Sequence, residues 1–269
     1  MTLNKIRKKT ISDFNDQWNL QGVLNEDYWA SEKIIVDQFS MLISPADIEN
    51  KIIADVGAGS GRLIKTLYPY KPKKYYAVEP SENGSRLIKQ NFEKFNNIAI
   101  IQKNGSEFKT PELCDYIFSL GVIHHIKNPI DTLKNIRKNL KINGKVIIWV
   151  YGFENNQLYI LIYKFLSIFT KRLPDKFVYL IASILNLILI PYIFICKFIK
   201  LPLASYFLNV FNKCGWTKRN DIIFDQLNPT YSKYYKKIEI ERELIDSGFS
   251  NLKIHHKDKY SWSIIAENI

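Results

Sequence analysis

The chain has 269 residues, enough for one large domain or a domain carrying a sizeable insertion, and its apolar fraction of 46% supplies a real core. Its net charge of +12 favours anionic partners, but the basic residues are scattered with no long Lys/Arg block and no nucleic-acid-binding module, so nucleic acid is not an expected partner. The three cysteines, Cys114, Cys196 and Cys214, are far apart without a CxxC or metal-ligand spacing, which excludes a disulfide framework and predicts a reducing, cytoplasmic compartment.

In chain order, the basic N-terminus, MTLNKIRKKTISDFNDQWNL, lacks the apolar run of a secretory signal. Residues 12–40 place Phe14, Trp18, Tyr28, Ile34, Ile35 and Phe39 at mixed helical spacing, predicting one or two helices within an N-terminal segment over 1–49. From Asn50 the rhythm changes. Strands are predicted at 51–56 (KIIADV), 74–78 (KYYAV), 98–102 (IAIIQ), 115–119 (DYIFS) and 144–151 (GKVIIWVY), with helices from Arg62 to Tyr68, near 85–95 and near 129–140. This alternation predicts an α/β, doubly wound, mostly parallel sheet.

Residues 152–230 break the rhythm: they are long, apolar and helical, punctuated by Pro174, Pro191, Pro202 and Pro229, and are read as an insertion forming a cap. Within it, FVYLIASILNLILIPYIFIC at 177–196 is long enough to cross a bilayer as one helix. A single crossing would leave the last elements on the wrong side of the membrane, and Asn186 and Pro191 fit two shorter helices meeting at a bend. The cap's apolar faces are left to the core, a second copy in a homodimer, or peripheral contact with the inner membrane surface. The alternation resumes with a helix at 237–247 closed by Gly248, then strands at 252–256 and 261–266, joined by so few residues that they must form an antiparallel hairpin. The core is therefore 50–151 plus 231–269.

The strongest chemical signal is IIADVGAGSGRLI, which sets Asp55, Gly57, Gly59 and Gly61 between the first strand and its helix. Glycines let a backbone turn sharply beside a ligand, and the following helix offers free N–H groups. Glu79 ends the next strand about 20 residues on, where a carboxylate can accept from both hydroxyls of a ribose. A nicotinamide site prefers GxGxxG, whereas this loop reads GxGxG with Arg62 at the third glycine's place.

The DxGxGxG loop, the acid at Glu79 and the antiparallel last strand together resemble the class I S-adenosylmethionine-dependent methyltransferases, whose core is a Rossmann-like seven-stranded sheet. SLGVIHHIKNP, WVYGFENN, FDQLNPTYSKYY and DKYSW are similar to a bacterial, methyltransferase type 11-like subgroup. The resemblance implies S-adenosyl-L-methionine as cofactor, with Asp55 holding the loop and the methionine end, Gly57, Gly59 and Gly61 passing beneath it, and Glu79 binding its ribose. Asn104 stands where the family has an Asp that accepts from the adenine amino group, and Leu120 with Gly121 flanks the reacting methyl.

Methyl transfer from a sulfonium is an in-line displacement in which the protein mainly aligns the reactants and excludes water. A hydroxyl or amine acceptor needs a base, for which His125, with His124 beside it, follows the fourth strand. An anionic acceptor needs cations instead, and Lys171, Arg172, Lys218 and Arg219 are candidates, with Tyr231, Tyr234 and Tyr235 as hydroxyl donors. His255 and His256 point to opposite faces of a strand and make no metal cluster. The expected activity is O-methylation of a small molecule or a sugar- or phosphate-containing precursor, such as one for cell-surface glycans. Methylation of a lipid or quinone at a membrane, and a non-catalytic binding protein on the same fold, are the alternatives.

Overall fold

A computed structural model describes residues 2–21, 32–39, 42–170, 173–228 and 230–269 of the chain. Seven strands form one sheet: β1 (Ile52–Val56), β2 (Lys74–Val78), β3 (Ile98–Ile101), β4 (Cys114–Leu120), β5 (Leu140–Tyr151), β6 (Ser250–Lys257) and β7 (Ser261–Glu267), in the order β3-β2-β1-β4-β5-β7-β6. The first five run parallel, and β7 lies antiparallel between β5 and β6. This is the doubly wound sheet with an antiparallel end that the alternation predicted.

Parallel strands carry continuous apolar runs because both of their faces are covered. Every residue of β1 is buried, and its alternating side chains feed two separate cores. Ile52, Ala54 and Val56 join Tyr76, Val78 and Val146 under α5 (Ile130–Lys138) and α10 (Lys237–Asp246) through Leu133, Ile136, Ile240 and Leu244. Ile53 joins Tyr75, Ala77, Phe118 and Ile147 on the other face. There α2 (Glu32–Phe39), α3 (Arg62–Leu67) and α4 (Glu82–Phe92) cover them with Ile35, Phe39, Leu63, Ile64 and Phe92. The sheet order reverses between β1 and β4, so their carboxyl ends splay apart and open a crevice beyond Val56 and Leu120.

Two elements differ from the expectation. Helix α1 (Leu3–Gln21) begins nine residues before the expected stretch at 12, because its inward face includes the buried polar residues Thr10 and Gln17 alongside Ile6, which blunts the apolar period. Helix α7 (Asp175–Cys196) is one continuous helix rather than two meeting at a bend. Pro191 is exposed within it, and the fully buried Asn186 is a tie, not a break: its amide donates to Asn220 Oδ1 (2.6 Å) and to the Trp216 carbonyl (3.2 Å).

Between β5 and α10 lie α6 (Gln157–Thr170), α7, α8 (Ala204–Asn209) and α9 (Trp216–Leu227). Their departure and return are fastened together. Tyr235 N–H donates to the Tyr151 carbonyl (2.9 Å) and Phe153 N–H to the Tyr235 carbonyl (2.8 Å), so this helical segment leaves and re-enters the core at one place.

Candidate functional site

The loop after β1 is anchored to β2 before it reaches any ligand. Gly57 and Ala58 N–H both donate to the Val78 carbonyl, at 2.8 and 3.1 Å. Gly57 has φ +81° and its missing side chain leaves room for Val122; Gly59 has φ +57° and lies against the Trp18 ring, so a Cβ at either position meets both backbone strain and a collision.

Glu79 locks the same loop from below. One carboxylate oxygen accepts from Gly59 N–H (2.8 Å), and the other accepts from Ser81 N–H (2.9 Å) and the Ser81 hydroxyl. Three of the roughly four acceptor sites of a carboxylate are therefore filled within the protein. A diol engaging Glu79 takes the remaining site and displaces one internal donor, of which the Gly59 N–H is the one on the cavity-lining loop.

Asp55, near the end of β1, is buried and, among the described residues, accepts one long hydrogen bond, from the Tyr75 hydroxyl (3.4 Å). Burial pushes its carboxyl up to about 7, against the pull of Arg62 and Tyr75 and with a small push from Glu79. Burial raises Glu79 as well, opposed by its bonds from Ser81 and Gly59. Two carboxylates held at a desolvation cost on one wall make a site that gains from a cationic ligand.

A cavity of about 570 Å³, within the range of small-molecule sites, opens over this wall at the β1/β4 crevice. Asp55, Gly57, Gly59, Glu79, Asn104, Leu120 and His125 all line it. Gly61 does not. It stands at the N-terminus of α3 with φ +90°, where a Cβ would press on Phe92, so its freedom serves the turn into the helix. His124 is absent from the lining too: its ring is fully buried, neither nitrogen has a hydrogen-bond partner among the described residues, and it packs on Tyr151 with centroids 4.1 Å apart. Burial holds it neutral, well below the usual histidine range.

Asn104 is committed differently from the expectation. Its Oδ1 accepts from Ser106 N–H (2.9 Å) and the Ser106 hydroxyl (2.6 Å). A backbone N–H can only donate, which fixes the amide orientation and fills both lone pairs. The carbonyl that was expected to accept from an adenine amino group is thus already used, and Asn104 has amide donors left to offer.

His125 is set up by the return of the chain. Its Nδ1 lies 3.0 Å from the Tyr231 carbonyl, an acceptor, so Nδ1 carries the proton and Nε2 keeps a lone pair. Burial pushes the imidazole down to about 4, partly offset by the Tyr231 carbonyl. Phe14 of α1 meets the ring edge-on at 5.0 Å.

Several lining residues escaped the sequence reading. Helix α1 closes the top of the cavity with Arg7, Phe14, Gln17 and Trp18, fastened by Asn83 N–H donating to Asn15 Oδ1 (2.9 Å) and Thr230 donating to Asp13. Arg62, Trp149, Tyr151 and, from α9, Asp221 and Asp225 also line the cavity. The Arg62 guanidinium is drawn down by burial and supported by the charges of Asp55 and Asp225. Phe14 and Trp18 read in the sequence only as helix positions, because the spacing of cavity-lining residues is the spacing of any helix face.

Of the other expected residues, Lys218 lines the cavity, while Arg219 is spent on the Phe211 and Cys214 carbonyls and on Asn212. Lys171 and Arg172 lie outside the described residues. The tyrosine hydroxyls serve the fold instead: Tyr235 donates to Glu243 (2.8 Å), Tyr234 and Tyr159 donate to Gln226 Oε1, and Gln226 in turn donates to the Tyr151 hydroxyl (2.6 Å). Tyr231 contributes its backbone carbonyl to His125. His256 stacks on Trp262, and among the described residues no three metal-ligating side chains come together.

Comparison with known proteins agrees with this fold. A family described as a methyltransferase domain matches residues 29–219. Among curated proteins the chain is similar to tRNA U34 carboxymethyltransferase of Helicobacter pylori strain P12, 31% identical over 121 residues, covering 41% of this chain and 44% of the relative. The match to the enzyme of that name from Wolinella succinogenes is 29% over 124 residues, 44% of this chain and 43% of the relative, so the alignment spans less than half of each of these relatives. Among solved structures, magnesium protoporphyrin IX methyltransferase from Synechocystis PCC 6803 with bound S-adenosylhomocysteine superposes over 99% of both chains with a TM-score of 0.56 at 13% identity. The pyocyanin biosynthetic protein PhzM superposes over 87% of this chain and 54% of its own, with a TM-score of 0.54 at 12% identity. At such identities these two likenesses concern the fold.

Proposed function

The chain belongs to the methyltransferase-domain family; from that premise we propose that it is an S-adenosylmethionine-dependent methyltransferase and that it methylates a hydroxyl oxygen of a small molecule held against His125. The cofactor, when bound, supplies an electrophilic methyl on a sulfonium. The residues present suit it: buried Asp55, with one long hydrogen bond, is an acceptor in want of the ammonium of the methionine end. Glu79, with an acceptor site left, would hold the ribose, and Asn104, with its amide donors left, would face the base.

The observation that carries the acceptor reading is the tautomer of His125. With Nδ1–H held by the Tyr231 carbonyl, Nε2 is an unprotonated base in the cavity that also holds Asp55 and Glu79. On transfer of the methyl to the acceptor oxygen with loss of its bond to sulfur, His125 Nε2 would take the hydroxyl proton. A base kept down at about 4 is neutral at every working pH, so it is always available and gives up its proton readily afterwards. Trp149, Tyr151 and helix α1 exclude water from the reacting atoms. The test is turnover with an identified acceptor: His125→Gln should depress kcat while leaving cofactor affinity unchanged, and an unchanged kcat would remove the base from the scheme.

A second reading, methylation of a lipid or quinone at a membrane surface, is favoured by the exposed apolar sides of α6 and α7. The two readings part on the labelled product, which extracts into organic solvent under the second and stays in water under the first.

A further inference from the structure

Most exposed large apolar side chains of the described residues are concentrated in one segment, 158–199. On α7 they follow one face, with Phe177, Leu180, Ile184, Leu187, Ile190, Phe194 and, just past its end, Phe198 spaced three or four apart. Leu161 and Phe165 extend the surface onto α6. Leu187 is 60% and Phe198 75% exposed, far from the isolated surface leucine that needs no account.

The opposite face of α7 is spoken for. Val178, Ala182 and Ile193 are buried against Phe224, Leu227 and Ile222 of α9, and Asn186 is bonded to Asn220. A helix with a polar hydrogen bond on one side and fastened entry and exit strands cannot be surrounded by lipid, although its 22 residues suffice for a span by length and composition. It can lie in the plane of an interface.

Charge decides what covers it. Residues 157–203 contain Lys164, Lys171, Arg172, Lys176, Lys197 and Lys200 against the single acid Asp175, and no charge falls between Phe177 and Cys196. Lys164, Lys176, Lys197 and Lys200 are exposed, three of them at or just beyond the ends of the α7 stripe. A two-fold dimer through this face would set these cations against their own copies. A bilayer with anionic headgroups meets the apolar stripe with its acyl region and the flanking lysines with phosphate, as long basic side chains at an interface do.

We propose that the outer face of α6 and α7 docks on an anionic membrane surface, lying in its plane with the lysines at the headgroups. Helix α9 then links membrane and site: Ile222, Phe224 and Leu227 pack toward α6, α7 and α8, while Thr217, Lys218, Asp221 and Asp225 line the cavity. Docking is independent of which acceptor is methylated.

The test is flotation of the full chain with phosphatidylcholine vesicles, with and without phosphatidylglycerol. The protein should float with the anionic vesicles, less so in high salt. The double variant Leu187→Glu, Phe198→Glu should reduce the floated fraction at least tenfold with cofactor binding and thermal melting unchanged, and reversing the four exposed lysines should do likewise. Photoactivatable phosphatidylglycerol on the wild-type chain, which needs no variant to fold, should crosslink within residues 158–200. Retention in the aqueous fraction with both vesicles, crosslinks elsewhere, or a wild-type dimer that Leu187→Glu splits into monomers would each overturn the proposal, the last by showing that a second copy covers the face.

Discussion

The cofactor end of the sheet and the helices between β5 and α10 are both rich in apolar residues, yet they use them differently. In β1, β2 and β4 most apolar residues are sealed from both sides, and Asp55 and Glu79 at the carboxyl ends are hydrogen-bonded and line the cavity. In α6 and α7 the apolar residues are sealed on one side only. Hydrophobicity alone therefore does not distinguish a core from an interface; the distinction lies in whether the opposite face has a partner within the chain. The first region specifies a cofactor, the second a surface.

The contrast breaks most sharply if chemistry does not depend on the first region. His125→Ala is expected to lower kcat by about 10²–10⁴-fold, the usual worth of a positioned base, with cofactor affinity preserved. With the imidazole at about 4, wild-type kcat should be flat from pH 6 to 8 as far as this residue is concerned and fall only as the pH approaches 4. A rate profile under saturating substrates reads both.

Next in size is the carboxylate under the loop. Glu79→Ala removes charge-assisted hydrogen bonds worth about 1.5–3 kcal/mol each, so cofactor affinity measured by calorimetry should fall about 10- to 150-fold. The same variant frees Gly59 N–H and Ser81, so the loop loses its lock as well as the ligand its partner.

Asp55 supplies a pH dependence whose sign can be worked out. Its carboxyl titrates near 7 in the folded chain against 3.8 as an ordinary aspartate, so the folded state holds the proton more tightly. The stability this contributes is complete below about pH 4 and is lost as pH rises through 7. Asp55→Asn should therefore flatten the melting temperature of the cofactor-free protein between pH 5 and 7.5. Cofactor affinity runs the opposite way, because a cationic ligand needs the ionised form: it should rise by up to about tenfold per pH unit between 5.5 and 7, and lose that slope in Asp55→Asn.

The smallest functional effect belongs to the second region. Asn186→Ala leaves Asn220 Oδ1 without its buried donor and should cost about 1–3 kcal/mol of stability in denaturant unfolding, with cofactor affinity untouched. A change in affinity would mean that the two regions are coupled more tightly than their contacts through α9 imply.

The same division governs what the sequence made legible. Strand β2 falls at the residues its apolar run predicted, and β1 within one, because strands buried on both faces and bounded by glycine and charge leave little choice. The loop glycines and Glu79 were readable for the same reason: backbone geometry demands those residue types at those places. Asn104 lines the cavity, but the orientation of its amide was not legible, since Ser106, two residues on, determines which end is left over. His124 and His125 are indistinguishable in a string, and only the return of Tyr231 from 106 residues away selects the second. Helix α7 read as bent because proline and asparagine usually signal a break; here the asparagine's bonds come from α9, which local sequence does not announce.

One measurement bears most directly on the claim that this cavity methylates a small-molecule hydroxyl through His125. The full chain is supplied with methyl-labelled S-adenosylmethionine and a pool of cellular metabolites, lipids and RNA, and the labelled product is identified by mass spectrometry alongside His125→Ala. The account predicts label on an oxygen of a water-soluble small molecule, reduced at least a hundredfold in the variant at equal cofactor binding. Label in RNA, or equal transfer by both proteins, would contradict it.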